Sequence, residues 1–109
     1  MTHPTRLFVP AITPFKADLS VDHERFIAYG KQLLADGADG LACFGTTSEA
    51  NSMSVSERMD ALDALVDAGI PASALIPGTG CAALTDSITL GRHAVALGVR
   101  GTLTLPPFY

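Results

Sequence analysis

Short apolar segments alternate with amphipathic segments along the whole chain, and this alternation constrains the fold more than any other feature. The apolar segments cover residues 7–13, 40–44, 74–77 and 101–105, and a helical pattern separates each from the next. Strands that alternate with helices form a parallel sheet with right-handed crossovers. The sequence therefore predicts an α/β fold in the order β-α-β-α-β-α-β.

The ends of the three predicted helices are marked by polar residues and glycines. A capping side chain opens each helix and a glycine follows it, as is typical of helix ends. The capping residues are Asp22 before a helix from about His23, Ser54 with its capping-box partner Glu57, and Thr85 with Asp86. The glycines are Gly37, Gly69 and Gly98. The predicted inner faces are Phe26, Ile27, Leu33 and Leu34, then Met59, Leu62, Leu65 and Val66, then Ile88, Val95 and Leu97.

The spacing of the apolar segments favours a barrel. One strand and helix of a (β/α)8 TIM barrel take roughly 31 residues, close to the interval found along this chain. Four strands are half of such a barrel, and an open four-stranded parallel sheet would leave two unpaired edges. We therefore expect residues 1–109 to be a single-domain fragment, the N-terminal half of a TIM barrel.

The composition excludes several classes of protein. With 48% hydrophobic residues, the chain can bury a core and is not expected to be disordered. A net charge of −4 and scattered basic residues argue against a nucleic-acid partner. No segment approaches the ~20 apolar residues of a membrane helix, and the N-terminus lacks the apolar centre of a signal peptide. Cys43 and Cys81 lack metal-site spacing. We expect a cytoplasmic protein without metal or membrane contact.

The loop after the second apolar segment is the best candidate for chemistry. Active sites of α/β barrels lie at the carboxyl ends of the strands, where this chain has Gly-Thr-Thr-Ser-Glu-Ala at 45–50. The glycine allows close approach of a ligand, and Thr46 and Thr47 supply hydroxyl and amide donors suited to a carboxylate or oxyanion. The alternative is that both threonines only stabilise a turn. We expect Glu49 to bond loop amides rather than act as a base.

The segment Gly-Thr-Gly-Cys-Ala-Ala at 78–83 imitates a dinucleotide-binding turn. That motif belongs to the first strand–helix unit and needs an acidic residue ~20 positions further on. Here two strand–helix units precede it, and residues 99–105 contain no acid. Nucleotide binding is therefore disfavoured.

Taken together, the motifs resemble the N-terminal part of the dihydrodipicolinate synthase/N-acetylneuraminate lyase family. The resemblance covers essentially the whole chain. The motifs that carry it are Pro-Ala-Ile-Thr-Pro-Phe at 10–15, the pair Gly37 and Gly40, the loop at 45–50 with Glu57 beyond it, Gly-Thr-Gly at 78–80, and Leu-Thr-Leu-Pro-Pro-Phe-Tyr at 103–109. Such proteins are TIM-barrel lyases and aldolases that form a Schiff base with pyruvate or a related 2-oxo acid.

The resemblance implies roles for three residues. It implies that Thr46 and Thr47 bind the 2-oxo acid carboxylate, and that Thr46 also joins a hydroxyl proton relay between tyrosines. It implies that Tyr109 is a relay tyrosine that reaches across a tight-dimer interface, in a homo-oligomer built as a dimer of dimers, with no cofactor. A structural alternative for Tyr109 is interface packing alone.

Two departures qualify the resemblance. Ser48 stands where most relatives have glycine, and Ala42 replaces a larger apolar residue, so the substrate subclass is left open. The imine-forming lysine is not among these residues, because Lys16 lies in a loop and Lys31 on the outer part of a helix. We expect the chain to be inactive alone and to be part of a longer lyase. The alternative is a non-catalytic half-barrel module, or a truncated remnant, that pairs its open sheet edges with another chain.

Overall fold

The computed structural model describes residues 5–106 of the chain, which form an α/β structure with parallel strands. Its elements are strands β1 (Phe8–Pro10) and β2 (Gly40–Ala42), helices α1 (His23–Ala35), α2 (Val55–Asp67) and α3 (Leu84–Leu97), and two short 3-10 turns at Ala50–Ser52 and Ala72–Ala74. Strands β1 and β2 pair in parallel, with Val9 opposite Leu41. Within the described residues no helix has the length and apolarity needed to cross a membrane.

The predicted third and fourth strands extend this sheet, but as single parallel bridges rather than as full strands. Leu75 bridges to Leu41, and Leu103 bridges to Gly78. The prediction was wrong about their extent, because Ala74 belongs to a 3-10 turn and Pro77 has no N–H to donate. The parallel order along the chain is nevertheless retained, so the carboxyl ends of all four segments lie at one edge.

The helix ends agree with the sequence prediction, with one exception. The Asp22 side chain accepts a hydrogen bond from the Arg25 N–H at 3.0 Å, and Ser54 and Glu57 form both bonds of a capping box. The three glycines after the helices all have positive φ: Gly37 at 116°, Gly69 at 97° and Gly98 at 83°. The exception is α3, which begins one residue before Thr85 and has no side-chain cap.

The core lies between β2 and the inner faces of α1 and α2. Leu41 and Leu65 are completely buried, and Phe26 packs edge-on against Phe44 with ring centroids 5.8 Å apart. Gly30 lets α1 approach closely, since an added Cβ would lie 3.1 Å from the Leu41 side chain. Burying apolar side chains of this size contributes about 1.5–3 kcal/mol each.

The inner face of α3 differs from the prediction. Leu90 and Ala94 are the buried residues, whereas Ile88 and Val95, predicted to be buried, are 43% and 71% exposed. The side of α3 with Leu90 and Ala94 therefore packs against the rest of the described chain, while Ile88 and Val95 lie on its exposed side. Similarly, Met59 on α2 is only half-buried, and the neighbouring Arg58 is buried instead.

Candidate functional site

The loop after β2 is bounded by two residues in the left-handed region. Phe44 has φ 60° and Glu49 has φ 59°, a conformation that costs non-glycine residues about 1–3 kcal/mol each. Between them, the Glu49 N–H donates to the Thr46 carbonyl at 3.1 Å, and the Ala50 N–H donates to the Gly45 carbonyl at 3.2 Å. The loop is therefore closed on itself and held in one shape.

This closed loop leaves a row of hydrogen-bond donors free. The N–H groups of residues 45–48 donate to no acceptor within residues 5–106, and neither do the hydroxyls of Thr46 and Thr47, whose residues are exposed. Fixed amide and hydroxyl donors on a short loop suit an anion, because they stabilise negative charge without reorganising. The structure thus brings together the two threonines singled out in the sequence, in an arrangement suited to a carboxylate.

Ser48 has a structural contact. Its side chain is fully buried, and its hydroxyl donates to the carbonyl oxygen of Ala11, just beyond β1. The residue that departs from the family pattern therefore fixes the loop to the neighbouring strand end, rather than pointing towards solvent.

A cavity of about 400 Å³ lies beside this loop at the carboxyl ends of the strands. Its lining joins the loop at 45–51 to the turn after the third strand segment and to the end of the fourth: Pro10, Ala42, Phe44, Gly45, Thr46, Thr47, Ser48, Glu49, Ala50, Asn51, Gly78, Gly80, Cys81, Ala82, Leu103, Leu105 and Pro106. Among these described residues there is no Lys, Arg or His. Lys16 and Lys31 are both exposed and lie outside the cavity.

The turn at 78–81 packs tightly against the threonine loop. The Gly78 N–H donates to the Cys43 carbonyl at 2.7 Å, and a Cβ on Gly78 would lie 2.1 Å from the carbonyl oxygen of Phe44. The buried Thr79 joins the third and fourth segments, since its hydroxyl lies 2.5 Å from that of Thr104. Only glycine at position 78 permits this approach of the two loops.

Arg58 is the residue that the sequence reasoning missed. It was grouped with the scattered basic residues, yet it is only 3% exposed, and its guanidinium donates to the carbonyls of Gly78 and Gly80. A signal was present: Arg58 precedes Leu62 by four residues and Leu65 by seven, which puts it on the same helix face.

Two further ionisable side chains lie on or next to the threonine loop: Cys43 is buried and Glu49 is exposed. Burial raises the pKa of the Cys43 thiol to about 12, so this cysteine behaves as a neutral apolar side chain. The Glu49 carboxylate is exposed and bonds to none of the described residues, so the expected bonds to loop amides are absent and its contribution to the turn is made by its backbone. Residues 5–106 contain no cluster of three His, Cys, Asp or Glu side chains that would hold a metal. Tyr109, the predicted relay residue, lies outside the described residues.

The chain matches known proteins over its whole length. The Dihydrodipicolinate synthetase family matches residues 3–109. A relative from Chloroflexus aurantiacus, named an uncharacterized DapA-like lyase, is 43% identical over an alignment of 110 positions. The alignment covers all of this chain and 36% of that protein.

Solved structures agree with this match. Dihydrodipicolinate synthase from Agrobacterium tumefaciens superimposes with a TM-score of 0.91 at 34% identity, over 95% of this chain and 36% of the other. YagE from Escherichia coli K12 is a protein of the dihydrodipicolinic acid synthase family solved in complex with pyruvate. It superimposes with a TM-score of 0.85 at 28% identity, over 96% of this chain and 35% of the other. This chain thus spans little more than a third of the relatives it matches.

The fold and its structural relatives identify this chain as the N-terminal portion of a TIM barrel. Its cavity lies at the carboxyl ends of the strands. The chain belongs to the Dihydrodipicolinate synthetase family, as the sequence motifs predicted.

Proposed function

We propose that this chain supplies the carboxylate-binding part of a Schiff-base-forming lyase or aldolase that acts on pyruvate or a related 2-oxo acid. The proposal rests chiefly on one observation, the row of free donors on the loop at 45–48 beside the cavity. Family membership and the pyruvate complex of a relative support the choice of ligand.

The threonine loop holds the substrate by its carboxylate. Hydrogen bonds from the hydroxyls and amides of Thr46 and Thr47 to a carboxylate are charge-assisted and fix its orientation. The described lining has no cation that would hold the anion elsewhere. The 2-oxo carbon then points away from the loop, into the part of the cavity that this chain leaves open.

The covalent step needs a lysine that these residues do not supply. A neutral lysine amine attacks the carbonyl carbon of the 2-oxo acid, and loss of water gives the imine. Loss of a C3 proton gives an enamine, which forms the new carbon–carbon bond; the reverse sequence cleaves it. Because Lys16 and Lys31 are exposed and outside the cavity, we assign the lysine to a part of the protein outside residues 1–109 and infer that this chain alone is inactive.

Proton transfer and assembly complete the proposal. Thr46 joins a hydroxyl relay with Tyr109, which comes from a neighbouring subunit of a homo-oligomer, a dimer of dimers in the full-length protein. The resemblance of the motif at 103–109 supports this role. The two free cysteines are in keeping with a cytoplasmic location.

The test is exchange of the pyruvate methyl protons in D2O, followed by proton NMR with the complete natural protein. Imine formation acidifies these protons whatever the second substrate is, so exchange measures the shared first half of every reaction in this class. We expect catalysed loss of the methyl signal, and a slower loss with the Thr47→Val variant. Absence of exchange with the folded protein would contradict the proposal and favour a non-catalytic half-barrel module.

A further inference from the structure

Arg58 carries a charge into the interior of the protein without a carboxylate partner among the described residues. Its residue is 3% exposed, and no acidic side chain within residues 5–106 lies within 4.0 Å of its guanidinium. Burying a cation is costly unless its donors find acceptors. Its Nε has no hydrogen-bond partner among the described residues, so the contacts that offset this cost are those of the two Nη groups.

Those contacts converge on the turn at 78–81. Nη2 donates to the Gly78 carbonyl at 2.7 Å, and Nη1 donates to the Gly80 carbonyl at 3.0 Å and contacts the Cys81 sulfur at 3.3 Å. The two carbonyl oxygens flank the buried Thr79, and the planar guanidinium binds both from one side. An apolar side chain at position 58 would leave both oxygens without these donors.

The same turn lines the cavity, and it contacts the threonine loop, which also lines the cavity. Gly78, Gly80 and Cys81 line the cavity, and Gly78 packs against the Phe44 carbonyl at the start of the threonine loop. Arg58 itself is not among the lining residues. Its own helix, α2, continues from that loop. Arg58 therefore binds the turn from α2 and lies outside the cavity lining.

We propose that Arg58 is a positioning residue that holds the turn at 78–81 against the threonine loop and thereby sets the geometry of the carboxylate cleft. It acts through backbone carbonyls and does not contact the substrate. The effect on substrate affinity rests on the proposed function, whereas the effect on the turn does not.

The first test is hydrogen–deuterium exchange of the complete natural protein and its Arg58→Met and Arg58→Lys variants, followed by mass spectrometry. The Gly78 and Thr79 amides are bonded to the carbonyls of Cys43 and Leu103. In Arg58→Met we expect the peptide that contains them to exchange about tenfold faster, with peptides of α1 unchanged. Arg58→Lys keeps the charge but loses the two parallel donors of the guanidinium. We expect the exchange rate of this peptide in Arg58→Lys to lie between those of the wild type and Arg58→Met. If Arg58→Met does not fold, Arg58→Lys decides.

The second test is steady-state kinetics with pyruvate. We expect Arg58→Met to raise KM about tenfold, the scale of one lost charge-assisted contact, and to change kcat by less than about threefold. In Arg58→Lys we expect a KM between those of the wild type and Arg58→Met. The exposed control Arg92→Met should have the KM of the wild type.

Faster exchange throughout the protein, or no faster exchange at 78–79, would overturn the positioning role. Faster exchange there with an unchanged KM would overturn the connection to the cleft. If the wild type does not use pyruvate, the proposed function fails, while the exchange result still decides the positioning role.

Discussion

The hydroxyl of Ser48 donates a hydrogen bond to the carbonyl oxygen of Ala11, and this bond joins the threonine loop to the end of the neighbouring strand. Both residues are completely buried. A serine at this position therefore adds a fixed contact between two strand ends that border the cavity. It fixes the loop in place, while the neighbouring Thr46 and Thr47 remain exposed.

Removing this hydroxyl should destabilise the protein. In Ser48→Ala the Ala11 carbonyl is left buried without that donor, and we expect the free energy of unfolding to fall by about 1–3 kcal/mol. Urea denaturation followed by circular dichroism measures the change. The control is Ser52→Ala, an exposed serine four residues away that should shift stability by less than about 0.5 kcal/mol. Equal effects of the two substitutions would contradict the structural role of Ser48.

Two glycines should respond in opposite ways to alanine. In Gly78→Ala the new Cβ would meet the Phe44 carbonyl at 2.1 Å, so we expect the stability to fall by about 2 kcal/mol or more. In Gly91→Ala nothing lies within 4 Å of the new Cβ, and the helix should gain about 0.5–1 kcal/mol. Thermal unfolding of both variants compares them directly. A tolerated alanine at position 78 would show that the two loops do not pack as described.

The threonine loop should control affinity for the 2-oxo acid. Thr47→Val keeps the shape of the side chain but removes a donor to a charged group, a loss of about 1.5–3 kcal/mol, or roughly 10–100-fold in KM for pyruvate. Thr102→Val is the matched control, because Thr102 is exposed and does not line the cavity. Steady-state kinetics of the complete protein measures both. An unchanged KM in Thr47→Val would favour the alternative in which the threonines only stabilise a turn.

The helices were predictable because local rules govern their ends. Caps such as Asp22 and Ser54 and the glycines after the helices act within one turn, so the pattern of residues is sufficient. The buried face of α3 was not predictable in this way. Leu90 and Ile88 are both apolar, and only tertiary neighbours decide which of them is covered.

The loop that borders the cavity was predictable from the sequence, whereas its backbone geometry was not. The motif identified Thr46 and Thr47, yet the left-handed backbone at Phe44 and Glu49 runs against the preference of both residue types. The burial of Arg58 likewise conflicts with the usual exposure of arginine and depends on carbonyls 20 and 22 residues away in the sequence.

In the proposed mechanism, the chain contributes the carboxylate loop while the imine forms on a lysine elsewhere in the protein. Incubation of the complete natural protein with pyruvate and borohydride, followed by peptide mass spectrometry, tests this most directly, because borohydride reduces an imine to a stable amine. We expect one pyruvate-derived adduct on a lysine outside residues 1–109, with less adduct in Thr47→Val. An adduct on Lys16 or Lys31, or no adduct on the folded protein, would contradict it.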